Sequence, residues 1–270
     1  MTTLRQAASR WIEDDPDPET TAAGQAILDA GEEAALREYF GQRLHFGTAG
    51  LRARLGPGPN RMNRAVIRRV TSAVGTYMES SLPNAHERGV VIGFDGRHGS
   101  EPFAHEAAMV LTARGFIVYL YDEVVPTPQA AHATRLLGCA GGIVVTASHN
   151  PPEDNGYKVF WADGAQIVPP QDQGISQAID QVERTVDVEV LSMDAAQSSG
   201  RLKPVPPGVL KSYLEEVAAL RVYEGPTNLK IVYTAMHGVG RKLIETVLHA
   251  HGYVGLVSVE EQGDPDPDFP

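Results

Sequence analysis

The stretch Gly89–Thr146, GVVIGFDGRHGSEPFAHEAAMVLTARGFIVYLYDEVVPTPQAAHATRLLGCAGGIVVT, decides the fold. Gly89–Phe94 is a short apolar run suited to a buried strand. Ser100 with Glu101-Pro102 then opens a helix whose apolar positions are Phe103, Ala107, Val110 and Leu111, and Gly115 ends it. Phe116–Tyr121 is the next strand, Pro128–Leu137 a short helical piece, and Gly142–Thr146 a third strand. Strand, helix, strand, helix, strand in this order predicts an α/β fold: a mainly parallel mixed sheet flanked by helices.

Upstream, residues 1–45 begin acidic around Asp14, Asp15 and Asp17 and carry one short helical pattern, Ala26, Leu28, Ala34, Leu36 and Phe40, which predicts a peripheral helical arm. From Arg64, the residues Val66, Ile67, Val70, Val74, Tyr77 and Met78 recur at helical spacing, with Asn63 placed to cap them. Downstream, residues 192–208 (SMDAAQSSGRLKPVPPG) lose periodicity, so a boundary is expected between one unit at 46–205 and a second at 206–270. The second unit holds a helix through Val209, Leu210, Tyr213, Leu214, Val217 and Leu220. A strand at Leu229–Tyr233, a helix around Leu243–Leu248 and a strand at Tyr253–Val259 follow. One βαβ unit of about 60 residues is close to the lower limit for an independent core. An incomplete second α/β domain with an unpaired strand edge, prone to self-association, is the expectation.

Composition narrows the function. Of 270 residues, 42% are hydrophobic and 21% charged, a globular profile. The net charge of −11 disfavours nucleic acid and anionic lipid as partners, so an anionic ligand must be held by a few placed cations. No run reaches the roughly 18 apolar residues of a membrane span, and the first 30 residues lack a signal-peptide pattern. Cys139 is the single cysteine; it suits a reducing cytoplasm and reads as a small buried apolar residue rather than a nucleophile.

Three loops carry the chemistry. Thr146-Ala147-Ser148-His149-Asn150-Pro151, continuing to Lys158, follows a buried strand, where α/β sheets place ligand sites. Its residue types also make ordinary turns. A Ser-His hydrolase is disfavoured, because adjacent side chains need not face each other and no G-x-S-x-G elbow surrounds Ser148. Phe46-Gly47-Thr48-Ala49-Gly50-Leu51-Arg52 and Gly93-Phe94-Asp95-Gly96-Arg97 each join small residues to an arginine, a combination that can line a phosphate cleft through Thr48, Gly50, Arg52 and Arg97. Arg97 suits a structural bridge to Asp95 equally well.

In this order and spacing the three segments resemble the α-D-phosphohexomutase family, which includes phosphoglucomutases, phosphomannomutases and phosphopentomutases. TASHNPPEDNGYKVF (146–160) is similar to the family's phosphoserine loop, and FGTAGLR and GFDGR match its two earlier segments. Trp11 with the DPDP of the arm, and RMN at 61–63, are most similar to the long-form phosphoglucomutase and phosphopentomutase branch; YTAMHGVG (233–240) is similar to the opening of the family's second domain. The resemblance implies a cytoplasmic isomerase in which Ser148 donates a phosphoryl group to a sugar monophosphate through a bisphosphate intermediate. Arg52 and Lys158 are then the matching cations, with Lys158 also a proton carrier. His149 and Asn150 orient the phosphate or the loop, and Asp95 and Arg97 brace it. Interconversion of glucose 1-phosphate and glucose 6-phosphate is the expectation, with pentose and mannose phosphates as alternatives and a sugar bisphosphate as activator.

The resemblance also implies Mg²⁺, held through the phosphate on Ser148 and by alternating aspartates that the family places beyond its DPDFP segment. Asp264, Asp266 and Asp268 alternate, but three prolines stiffen them and no arginine follows, so they are not expected to be that site. The chain is thus expected to be the N-terminal half of a longer mutase with little turnover alone. A non-catalytic phosphosugar-binding protein is the alternative, and the reading frame past Pro270 discriminates the two.

Overall fold

The computed structural model describes residues 3–48, 50–223 and 225–270; Ala49 of the first loop lies outside the described residues, as do Met1, Thr2 and Glu224. Three helices come first. α1 (Leu4–Asp14) starts at a reciprocal cap, in which the Thr3 hydroxyl accepts from the Gln6 N–H while the Gln6 side chain accepts from the Thr3 N–H. α2 (Pro18–Ala30) starts behind Asp17, whose carboxylate accepts from the Glu19 N–H, and α3 (Glu33–Phe40) follows. Ala8, Ile12, Leu36 and Phe40 form a small core of their own, with the Trp11 ring edge-on to Phe40 at 5.8 Å. The arm is therefore more than the one short helical pattern expected.

β1 (Leu51–Arg54) leads to α4 (Arg64–Ser81), capped as expected by Asn63. The Asn63 Oδ1 accepts from the Val66 N–H at 2.9 Å, and its Nδ2 donates to the carbonyls of Gly56, Gly58 and Arg61, so a buried amide is fully used. Such a cap contributes about 1 kcal/mol. After the short α5 (Ala85–Arg88) come β2 (Val90–Phe94), α6 (Ser100–Ala113), β3 (Val118–Leu120), α7 (Thr127–Leu136) and β4 (Gly141–Val145), the alternation read from the sequence. β5 (Asp154–Trp161), α8 (Gln171–Gln181), α9 (Met193–Ser198) and β6 (Leu202–Pro204) complete the first unit.

The six strands form one mixed sheet in the order β1-β5-β4-β2-β3-β6. β4, β2, β3 and β6 are parallel; β5 runs antiparallel to both β4 and β1, because the chain leaving β4 turns straight back. Alternation along the strands sorts the two faces. Val90, Ile92, Ile143 and Val145 pack with Ile67, Val74 and Met78 of α4 and with Ala104 and Leu111 of α6. Val91 and Val144 pack with Ala130 and Ala133 of α7. α4 and α6 are also tied by Glu106, fully buried, which accepts from Arg64 Nε and Nη2 at 2.9 and 2.8 Å and from Arg68 Nε at 2.6 Å.

Residues 192–208 are not a featureless linker. Ser192 caps α9 through the Ala195 N–H, and β6 extends the sheet beside β3. A six-residue helix and a three-residue strand are too short to show a period, and the strand exists because β3 offers it a free edge. α10 (Gly208–Ala219), read as the start of the second unit, also packs on α7: Val209 is buried, the His132 and Tyr213 rings meet at 5.3 Å, and Arg135 pairs with Glu216. Beyond it β7 (Ile231–Tyr233), α11 (Arg241–Ala250) and β8 (Leu256–Ser258) form a βαβ unit with two parallel strands, as expected, and Val232 and Val257 remain exposed. Among the described residues no helix is long and apolar enough to cross a membrane.

Candidate functional site

The loop between β4 and β5 is both a turn joining two strands and a presentation device. The Ser148 N–H donates to the Thr146 Oγ1 at 2.9 Å, and the Asn150 N–H to the Ala147 carbonyl at 3.2 Å. Between them Ser148 adopts φ 62°, a left-handed conformation uncommon for a side-chain-bearing residue, and stands exposed with His149. Ala147, immediately before, is buried, so the turn is anchored on one side and open on the other.

Lys158 reaches this apex from β5. Alternation along β5 buries Tyr157, whose hydroxyl meets the Thr71 hydroxyl at 2.8 Å, and turns Lys158 to the opposite face, where its Nζ donates to Ser148 Oγ at 2.9 Å. On the neighbouring strand Arg52 lies opposite Gly156, and its Nη1 donates to Asn150 Oδ1 at 3.1 Å; Asn150 Nδ2 in turn donates to Asp154 Oδ2 at 2.7 Å. Partial burial, and then the Arg52 charge, push the Lys158 ammonium below its ordinary range, with Asp95 opposing. One hydroxyl and two cations therefore converge where β1, β5 and the β4–β5 turn meet. Such a group can stabilise a phosphoryl dianion and can exchange a proton with an alcohol.

Arg97, for which the sequence leaves phosphate contact and a brace both open, is buried under the turn. Its side chain is 1% exposed, and Nη1 donates to the carbonyls of Pro151 and Asp154 at 2.8 and 3.2 Å while Nη2 donates to those of Ser148 and Asn150 at 3.1 and 2.7 Å. Nε faces Asp95 at 3.4 Å, and the ring of Phe269 covers the guanidinium. With both Nη nitrogens spent on the turn and Nε held only by the ion pair with Asp95, Arg97 is a brace, the alternative that its sequence context left open. Asp95 completes it by accepting from the Arg97 N–H and the Ser100 hydroxyl.

The first loop also differs from expectation. Gly50 sits at φ +76°, its N–H donates to the Gly47 carbonyl at 2.8 Å, and a Cβ there would lie 1.9 Å from the Tyr157 carbonyl oxygen. It is a glycine because β5 runs against it, and its amide is not free for an anion. Thr48 is exposed, and its carbonyl accepts from Gln166 Nε2 at 3.0 Å. Asn155 escaped the sequence reading. Buried, it donates to the His98 carbonyl and Ser100 Oγ and accepts from the Gly156 N–H, joining the second and third loops; the buried polar residue beside Gly156 was its only sequence signal.

The implied magnesium does not find its ligands here. Among the described residues no three His, Cys, Asp or Glu side chains converge. Asp268 bonds His98, Asp266 accepts from the Asp268 N–H, and Asp264 faces Arg241 at 3.7 Å, so the three tail aspartates point to separate partners. Cys139 is buried, with its thiol pushed up to about 12 by burial, and is inert. A cavity of about 770 Å³ lies apart from Ser148, between α1 and α4.

Residues 43–185 match the family model for phosphoglucomutase/phosphomannomutase, alpha/beta/alpha domain I, and residues 211–270 match that for domain II. The chain is 37% identical over 278 residues to the phosphopentomutase of Homo sapiens, across 99% of this chain and 45% of that protein. It is 33% identical over 284 residues to the human glucose 1,6-bisphosphate synthase, across 98% and 44%. A crystal structure of a phosphoglucomutase/phosphomannomutase family protein from Burkholderia thailandensis superimposes with a TM-score of 0.64 at 27% identity, covering 84% of this chain and 45% of that one. The chain spans about half the length of the curated relatives it matches.

Proposed function

This chain belongs to the phosphoglucomutase/phosphomannomutase family, and from that premise we propose that Ser148 is the residue that carries and transfers the phosphoryl group of a sugar phosphate. The observation that carries the proposal is the 2.9 Å contact of Lys158 Nζ with Ser148 Oγ at an exposed, left-handed turn. In the forward step the bond between phosphorus and Ser148 Oγ breaks as a bond from phosphorus to a sugar hydroxyl oxygen forms. The hydroxyl proton passes to the neutral Lys158 amine, and the Ser148 alkoxide takes a proton back from the Lys158 ammonium. The product is a sugar bisphosphate. Rebinding in the opposite sense returns its other phosphate to Ser148 by the same exchange. Arg52 offsets charge at the turn, Asn150 holds Arg52 in place, and His149 and Thr48 are the exposed polar groups available to the sugar phosphate.

The glucose 1-phosphate expected from the motifs gives way in this proposal to a pentose phosphate, supported by the 37% identity to human phosphopentomutase. A sugar bisphosphate would load Ser148, and the cytoplasm is the proposed compartment, on the single buried cysteine. The test uses protein expressed from the complete reading frame containing these residues, supplied with ribose 1-phosphate or glucose 1-phosphate. Turnover is expected with the pentose ester exceeding the hexose ester, and Ser148→Ala should reduce it by about a thousandfold or more. Undiminished turnover in Ser148→Ala would overturn the assignment; a preference for glucose 1-phosphate would overturn only the choice of sugar.

A further inference from the structure

The tail at residues 264–270 covers one loop of the first unit residue by residue. A Cβ on Gly96 would come within 2.9 Å of Pro265 Cβ, the Phe269 ring lies over the Arg97 guanidinium at 4.8 Å, and Asp268 Oδ1 meets His98 Nε2 at 2.7 Å. The same tail is fastened to the second unit. The Asp266 N–H donates to the His237 carbonyl at 3.1 Å, and the His237 N–H donates to the Gln262 carbonyl at 3.0 Å. The tail is therefore a strut between the second unit and the brace of the Ser148 turn.

A guanidinium donates hydrogen bonds only in its plane, and its face is open to an aromatic ring or to water. Arg97 spends its plane on the carbonyls of Ser148, Asn150, Pro151 and Asp154. Phe269 occupies the face. Removing the ring admits water beside a guanidinium whose side chain is 1% exposed, and water then competes for the carbonyls that Arg97 gathers.

We infer that Phe269 is a positioning residue: by covering Arg97 it fixes the 148–154 turn, so that the seating of the second unit sets the geometry presented by Ser148. The consequence for phosphoryl transfer rests on the function proposed above, whereas the coupling of Phe269 to the turn does not.

The experiment compares wild type, Phe269→Leu and Phe269→Trp, each by thermal melting, amide hydrogen exchange and the rate of Ser148 phosphorylation by ribose 1,5-bisphosphate. Leucine keeps apolar bulk without the aromatic face, and tryptophan restores the face. In Phe269→Leu the amides of Ser148, Asn150 and Asp154 should exchange about threefold to tenfold faster, while those of β2 and α4 stay unchanged; Phe269→Trp should return the turn to wild-type exchange. Phosphorylation of Ser148 should slow by about tenfold in Phe269→Leu and recover in Phe269→Trp. Unchanged exchange in the turn, equal acceleration throughout the first unit, or failure of tryptophan to rescue would each overturn the inference. If Ser148 in the wild type takes up no phosphate while the exchange pattern holds, the proposed function falls and the coupling stands.

Discussion

Lys158 Nζ lies 2.9 Å from Ser148 Oγ, although the two are ten positions apart in sequence. The antiparallel return of β5 against β4 creates this contact, with Lys158 registered opposite Val144 and Ser148 three residues beyond the end of β4. The hydroxyl thus has an amine within proton-transfer distance before any substrate arrives.

The first prediction concerns that amine. Partial burial and the Arg52 charge both disfavour the ammonium, so Lys158 loses its proton at a lower pH than an ordinary lysine, and at a given alkaline pH a larger fraction of it is neutral. Only the neutral amine reacts with acetic anhydride. Measured by mass spectrometry as a function of pH, the midpoint of Lys158 acetylation should fall below the ordinary lysine value of 10.5. It should move upward in Arg52→Gln, where the repelling charge is gone. A midpoint at or above the ordinary value would contradict the prediction.

Arg97→Lys should destabilise the fold despite keeping the charge. Lysine has one nitrogen and no fork, so it cannot serve the four carbonyls that Arg97 gathers from Ser148, Asn150, Pro151 and Asp154. A loss of about 3 kcal/mol in urea unfolding is expected, since several buried carbonyls lose their partner. An unchanged midpoint would show that the brace carries no stability.

Gly50→Ala should be costly at a site that looks permissive. The φ of +76° disfavours any side chain, and the new Cβ would meet the Tyr157 carbonyl oxygen at 1.9 Å, so β1 and β5 must separate locally. A stability loss of at least about 2 kcal/mol is expected from strain and displaced backbone. Since Arg52 follows on β1, its hydrogen bond to Asn150 should weaken as well, seen as a changed Arg52 side-chain NMR signal. A Gly50→Ala protein with wild-type stability would contradict the packing account.

Much of this was legible in the sequence, for reasons the structure makes specific. The runs Val90–Phe94 and Gly141–Val145 are buried throughout, so they appear as unbroken apolar text, and α4 carries enough turns for its period to stand out. The motif order also placed Ser148, Lys158 and Arg52 together. What escaped was local or tertiary. α1 had its pattern in Leu4, Ala8, Trp11 and Ile12, but flanking acids masked it. β6 is three residues long and owes its existence to the edge of β3. Gly50 reads as a phosphate-loop glycine and Arg97 as either a phosphate ligand or a brace, because glycine and arginine are the residues that cradle anions. Only the structure shows that a strand backbone occupies the first and four carbonyls the second.

The central claim is that Ser148 is the phosphoryl carrier, and the most direct measurement is to locate the phosphate. Protein expressed from the complete reading frame is incubated with ribose 1,5-bisphosphate, digested, and mapped by mass spectrometry beside Ser148→Ala. The account predicts one phosphate per chain on the peptide containing Thr146–Lys158, assigned to Ser148 and absent from the variant. No phosphate in the wild type, or phosphate on another residue that persists in Ser148→Ala, would contradict it.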